Sequence, residues 1–385
     1  MPGNNRQQPP AFGPGSVGAS DQTIDITTDE NRGNRIEQPD PLPSEDDQDV
    51  SIVSHPYQVL KPDVVIDAVE STGRRSDARI LALNSYENRV YQVGIEDEEP
   101  VIAKFYRPNR WSQAQIFEEH EFTRQLFELE IPVVPPLVID EQSDTPTISG
   151  FNDFYFAIYP RQGGRAPELD NLDHLYRLGQ SIGRIHAAGI AFPFKHRVAL
   201  TVQAFGYDNV DYLLTQGFIP RDLVPAYESI AREVLAEIEL NNPESEQYQQ
   251  ISLHGDCHPG NLLWRDDKPH FVDFDDAMTG PAIQDLWMLL SGDRVNRQIQ
   301  LSEIIEGYEM FQSFDVRELK LVETLRAMRV LNYSGWLAKR WDDPAFPLSF
   351  PWFNTPRYWS EHILELKELL TALQEEPLTM SDSII

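Results

Sequence analysis

His254-Gly255-Asp256-Cys257-His258-Pro259-Gly260-Asn261 is the densest run of reactive side chains in the chain, and twelve residues after it Asp273 stands inside Phe271-Val272-Asp273-Phe274-Asp275-Asp276. Either half alone is unremarkable. His-Gly-Asp and Pro-Gly-Asn are ordinary turn sequences, and an aspartate at a strand end is commonly only a cap. What argues for chemistry is their occurrence together: an octet mixing carboxylate, imidazole and amide, with a further acid at a short, fixed distance.

Set against the protein-kinase catalytic loop H-R-D-L-K-P-E-N and the following D-F-G, the residues His254, Asp256, Pro259 and Asn261 fall in register. His258 takes the lysine position, and Asp273-Phe274 takes the start of D-F-G. Phosphoryl transfer is catalysed mainly by positioning and charge neutralisation, which assigns a role to each residue. Asp256 accepts or orients the proton of the attacking hydroxyl. Asn261, through its amide oxygen, and Asp273, through its carboxylate, hold Mg²⁺ against the phosphates of ATP, because this ion takes hard oxygen ligands and few of them from protein. His258 is placed to reach a phosphate oxygen or the substrate. A two-metal phosphoesterase would share Gly255-Asp256-x-His258, but Gly260-Asn261 is followed by Leu262 rather than His, and that reading fails.

Upstream, Val101-Ile102-Ala103-Lys104 resembles the V-A-I-K strand whose lysine contacts nucleotide phosphates. A lysine in a short apolar strand needs a partner. Glu119, on the apolar stripe Ile116, Glu119, Phe122 and Leu126 of the next helix, is the expected one, with Glu118 and Glu121 as competitors. Ser112 and Gln115 form the capping box that opens this helix. No glycine-rich loop precedes the lysine strand. In its place stands Leu83-Asn84-Ser85-Tyr86-Glu87-Asn88-Arg89-Val90, whose N–H groups and Ser85 hydroxyl could face phosphate. Asp285, ahead of Leu286-Trp287-Met288-Leu289-Leu290, reads either as a helix cap or as a brace for the catalytic-loop backbone. Cys257 is expected to be a small buried hydrophobe, and the aromatic segment from Trp336 to Trp359 core or acceptor lining.

The organisation follows from composition and period. Residues 1–50 are rich in Pro, Gly, Gln, Asn and acids and are expected to be disordered. Residues 57–160 read as a β-rich N-lobe with one helix, including strands at 89–93, 100–105, 131–139 and 154–159. Residues 161–378 read as a mainly helical C-lobe that carries the catalytic and metal-binding loop and the acceptor site. Its first helix bears the stripe Leu175, Leu178, Ile182 and Ile185 and is expected to stop at Gly189. Further helices are expected around 221–241, 283–290, 301–313, 316–340 and 358–374, with a short strand-rich stretch at 251–274. The fold class is α+β, a protein-kinase-like arrangement of two lobes.

A formal net charge of −30 over 385 residues argues against a nucleic-acid or anionic-membrane partner, since phosphate surfaces need a basic face. Cys257 is the single cysteine, so no internal disulfide and no cysteine-based zinc site can form. No run of about 18 apolar residues occurs. A cytoplasmic monomer is the expectation.

His-Gly-Asp-x-His-x-x-Asn resembles the aminoglycoside phosphotransferase/choline kinase branch of the kinase-like superfamily. Within it, residues 83–91, Lys104-Phe105-Tyr106-Arg107-Pro108, residues 253–261 and 285–290, Leu325-Arg326-Ala327-Met328-Arg329 and Asp343-Pro344-Ala345-Phe346-Pro347 resemble the stress response kinase A family, from about residue 57 onward. The resemblance implies a cytoplasmic serine/threonine protein kinase with a small-molecule-kinase fold, acting in stress protection. It also implies Asp256 as proton acceptor, Asn261 and Asp273 as Mg²⁺ ligands, Ser85 as an ATP contact and Asp273 as an active-site residue.

The residues themselves leave the acceptor open. A protein hydroxyl, favoured by the resemblance, competes with a small alcohol or amino alcohol, favoured by the absence of A-P-E and the short stretch from Ala277 to Ile283. A pseudokinase is the third reading, suggested by the missing glycine loop.

Overall fold

The computed structural model describes residues 55–380 apart from Asn84. The expected disorder of residues 1–50 therefore lies outside the described residues.

Among the described residues the first α-helix is α1 (Pro62–Glu70), which buries Val65, Ala68 and Val69. An antiparallel sheet follows, built from β1 (Ser76–Ala82), β2 (Arg89–Ile95), β3 (Val101–Phe105), β4 (Ser149–Phe151) and β5 (Phe154–Pro160) in the order β1-β2-β3-β5-β4. On β3 the residues Val101, Ala103 and Phe105 enter the core beneath α1. Side chains alternate along a strand, so Ile102 and Lys104 face the other way. Between β3 and β4 runs α2 (Gln113–Glu128), opened by the Ser112/Gln115 capping box and burying Ile116, Glu119, Phe122 and Leu126 as one stripe.

One expected strand is not there. Residues 131–139 form only an isolated bridge, Val133 to Phe271. Pro132, Pro135 and Pro136 remove the N–H donors a ladder would need.

The helical part begins with α3 (Leu172–Ala191), capped by the Asn171 side chain. It runs past Gly189 rather than stopping there. A Cβ on Gly189 would lie 2.1 Å from the Ser252 carbonyl oxygen, so this glycine serves close packing. Next come α4 (Asp208–Gln216) and α5 (Val224–Leu240). The strand-rich stretch holds β6 (Ile251–Leu253), β7 (Leu262–Arg265), β8 (Lys268–Phe271) and β9 (Met278–Gly280). β6 pairs with β9 and β7 with β8, both antiparallel. Residues 282–289 form two short 3₁₀ turns rather than the expected α-helix. The rest is helical: α6 (Arg294–Tyr308), α7 (Val322–Lys339), α8 (Ala345–Ser349) and α9 (Pro356–Leu373).

The sheet with α1 and α2 and the larger helical body form a two-lobed, kinase-like α+β fold, and the main core lies in the helical body. Among the described residues, no helix is long and apolar enough to cross a membrane.

Candidate active site

The β7–β8 hairpin sets the geometry. Asp266 and Asp267 both take positive φ (50° and 64°), the left-handed backbone a two-residue hairpin turn requires. The resulting register pairs Leu262 with Phe271, which leaves Asn261 and Val272 side by side at the open end. The Val272 N–H donates to the Asn261 carbonyl oxygen at 3.1 Å. Asp273 follows directly, itself at φ 59°, with its side chain 55% exposed. Hairpin geometry thus makes neighbours of two residues twelve apart in sequence.

His254 ties the catalytic loop to the same end. Its Nε2 lies 3.0 Å from the Val272 carbonyl oxygen, and its Nδ1 accepts the Asp256 N–H at 3.3 Å. The loop itself is held by Asp285, buried at 1% exposure. One Asp285 oxygen accepts the His254 N–H and the other the Gly255 N–H, each at 2.8 Å, and His186 Nε2 stands 3.0 Å away. Asp285 is therefore the backbone brace and not a helix cap.

Asp256 is buried, with a protein neighbour at each oxygen. Oδ1 accepts from Arg329 Nη1 of α7 at 2.7 Å, and Oδ2 lies 3.3 Å from His258 Nε2. Burial works against its charge, but Arg329 and His258 outweigh it and hold the carboxyl well below the usual range. The Asn261 amide donates to the Asp256 carbonyl oxygen at 2.9 Å. His258 turns inward, its Nδ1 accepting the Gly260 N–H at 2.9 Å.

Lys104 comes from the opposite lobe. Its ammonium is 2.9 Å from Asp273 Oδ1 and 3.2 Å from Asp275 Oδ1. Burial disfavours the cation, yet these carboxylates and the more distant Glu119 keep its pKa well above the ordinary lysine value. The expected Lys104–Glu119 ion pair does not form among the described residues. The stripe on α2 correctly turns Glu119 inward, but Asp273 and Asp275 reach the ammonium first. Desolvation pushes Glu119 up to about 7 despite Lys104 nearby. Glu118 has another task, accepting the backbone N–H groups of Lys195, His196 and Arg197 at 2.7 to 2.8 Å.

Ser85 sits in the β1–β2 loop with its hydroxyl donating to the Asn88 carbonyl oxygen at 3.2 Å. That loop is clasped to the helical body. Glu87 pairs with Arg107, Arg110 and Arg340 and accepts from Trp336 Nε1 at 2.6 Å. Arg89 and Arg107 converge on Asp343 at 2.9 and 2.7 Å. Arg110 also bonds Asp275 and Asp276.

Sequence reasoning missed Arg329, Arg110 and Asp275. Arg329 and Asp343 lay inside stretches that carried the family resemblance, which marked the segments without assigning a contact. Cys257 is buried, as expected of a small hydrophobe. Of the aromatic segment, Phe346, Phe353 and Trp359 are core, whereas Trp336 faces the β1–β2 loop.

As metal donors, Asn261 and Asp273 offer an amide oxygen and an accessible carboxylate. Among the described residues, no group of three or more His, Cys, Asp or Glu is arranged around a metal. That donor set fits an ion held jointly by protein and phosphate, the habit of Mg²⁺, rather than one caged by protein alone.

The profile of the phosphotransferase enzyme family matches residues 79–322. The chain is 43% identical over 325 residues to stress response kinase A of Escherichia coli (strain K12), covering 84% of this chain and 97% of that one. It is 41% identical, with the same coverage, to the serine/threonine protein kinase RdoA of Salmonella typhimurium (strain LT2). Among solved structures, amicoumacin kinase hAmiN in complex with AMP-PNP, Ca²⁺ and Ami superposes with a TM-score of 0.63 at 19% identity, over 82% of this chain and 95% of that one.

Proposed function

The chain belongs to the phosphotransferase enzyme family, within the stress response kinase A group, and on that basis we propose that it is an ATP- and Mg²⁺-dependent serine/threonine protein kinase. The reading includes residues 57–160 as the nucleotide clamp, residues 161–378 as the catalytic and acceptor lobe, and a cytoplasmic setting. Two relatives at this identity are named as kinases, one of them as a serine/threonine protein kinase.

The observation that carries the proposal is the convergence of Asp256, Asn261 and Asp273 through the hairpin and the His254 link, with Lys104 arriving from the other lobe. Lys104 would hold nucleotide phosphates and Ser85 would contact them from the β1–β2 loop, with Glu119 tuning the lysine through space. Asn261 and Asp273 would hold Mg²⁺, which when bound neutralises phosphate charge. The acceptor oxygen bonds to the γ-phosphorus, and the bond from that phosphorus to the β,γ-bridging oxygen breaks. The bridging electrons leave with ADP, and the hydroxyl proton passes to Asp256. A carboxylate paired with arginine is a weak base, which suits a loose transition state needing orientation more than proton abstraction.

A second reading, a small-molecule kinase, is favoured by one feature. Only Ala277, β9 and Pro281 separate the turn at Phe274–Asp276 from the turn at Ala282–Asp285, which leaves no long peptide-binding segment.

The test is transfer of labelled γ-phosphate to self, to a protein acceptor and to small alcohols, with wild type and Asp256→Ala. Protein labelling that falls about 10²–10⁴-fold in the variant supports the proposal. Labelling of small alcohols alone moves the chain to the second reading. Equal labelling by both enzymes overturns the role of Asp256.

A further inference from the structure

Arg329 is a feature of the reaction centre that the kinase motifs do not account for. It lies on α7, its side chain is 23% exposed, and it uses a single Nη to hold Asp256 Oδ1 at 2.7 Å. No other hydrogen bond from its guanidinium is made among the described residues, so its remaining donors are uncommitted. The other Asp256 oxygen faces His258, which is itself fixed by the Gly260 N–H and almost fully buried. The same oxygen accepts the Asn261 amide at 3.4 Å, so each oxygen of Asp256 already has a protein neighbour. Each carboxylate oxygen keeps a second lone pair for an incoming hydroxyl, and the part-exposed, singly anchored arginine is the partner able to shift as the acceptor enters.

We propose that Arg329 is a specificity residue that selects acceptors carrying an anionic group beside the reactive hydroxyl. The acceptor's carboxylate or phosphate draws the guanidinium away from Asp256 Oδ1 and pairs with it, and the vacated oxygen receives the hydroxyl. An arginine fork binds such oxyanions in a bidentate manner, which also fixes the hydroxyl's approach. A neutral acceptor offers the remaining Arg329 donors no partner. The chain's net charge of −30 repels anions at long range. Screening confines that field to about 8 Å at physiological ionic strength, so a local cation decides binding within the site. The anionic group can belong to an acidic peptide or to a small hydroxy acid; the chemistry is the same.

This inference rests on the phosphotransferase reading, and the experiment separates the two. Wild type, Arg329→Gln and Arg329→Lys are assayed with ATP and Mg²⁺ on a serine peptide flanked by glutamates, the same peptide with glutamines, a small hydroxy acid and its amide. Wild type is expected to favour the anionic member of whichever pair it labels by about tenfold or more in kcat/KM, the worth of one charge-assisted hydrogen bond. In Arg329→Gln the anionic-over-neutral ratio of kcat/KM should fall to about one, chiefly through a raised KM for the anionic acceptor, on top of any loss common to all four. Arg329→Lys should restore part of the preference. Which pair is labelled tells peptide from small acid. An equal loss on all four acceptors would overturn the proposal and make Arg329 a ligand of the transferring phosphate or a prop for Asp256. No preference in wild type would also overturn it while leaving the kinase reading intact, whereas labelling of none of the four by wild type would sink that reading and this inference together.

Discussion

Lys104 of β3 and Asp273, 169 residues later and beyond the β7–β8 hairpin, meet at 2.9 Å across the two lobes. Asp275 completes the set at 3.2 Å. Lys104→Met removes one of two cations paired with the almost fully buried Asp275 and leaves Arg110 as the other, so the cost stays below the about 3–5 kcal/mol of breaking an isolated buried pair. The variant is expected to lose phosphoryl transfer and about 1–3 kcal/mol in chemical denaturation. Activity lost with stability intact would mean that the pair matters only to the nucleotide.

Asp285 supports the catalytic loop without touching a reactant. Asp285→Asn substitutes an amide for one of two oxygens that each accept a buried N–H. A stranded donor costs about 1–3 kcal/mol. The expected result is a fall in kcat of at least about tenfold with a near-normal KM for ATP, since the loop carries Asp256 and Asn261 but not Lys104. Steady-state kinetics on the variant check the split.

Glu119 gives a pH signature. Its pKa rises from the ordinary 4.5 to about 7 on folding, first through desolvation, so between these values the folded state holds more proton than the unfolded one. Stability from this group is present below about pH 4.5 and is lost as pH rises through 7, about 3 kcal/mol in all. Glu119→Gln should gain on wild type across that window, read as a Tm difference that grows with pH. Glu318, also pushed up to about 7 by burial, is present in both proteins and cancels. A Tm difference that does not change with pH would refute the assignment.

Glu87 anchors the β1–β2 loop to Arg107, Arg110, Arg340 and Trp336. Glu87→Gln should loosen the loop that carries Ser85. We expect KM for ATP to rise about tenfold with a smaller change in kcat, and limited proteolysis to cut sooner near residue 85. An unchanged KM for ATP would separate the clasp from nucleotide binding.

What could be read in the sequence was what is local. The octet, the lysine strand and the Ser112 capping box each carry their meaning within a few residues, and each has the expected local form. Periodicity placed Glu119 on the buried face of α2, but a stripe tells which side chains turn inward, not which two carboxylates will be nearest a lysine from another lobe. The 131–139 strand failed because β-like composition was weighed above three prolines. At 282–289 an apolar run read as α-helix folds instead as two tight turns. Arg329 lies in a segment that the resemblance marked, but nothing local names its partner, which is 73 residues away and is brought to it by the packing of α7.

Gly255 takes φ +84°, and a Cβ there would stand 2.1 Å from the carbonyl oxygen of Asp276. Main chain abuts main chain between the residue before Asp256 and the segment that follows Asp273. The spacing of the two backbone segments that carry Asp256 and Asp273 is consequently a main-chain dimension. Side chains on either segment can be exchanged, whereas the separation of the two stretches of main chain behaves as a fixed gauge.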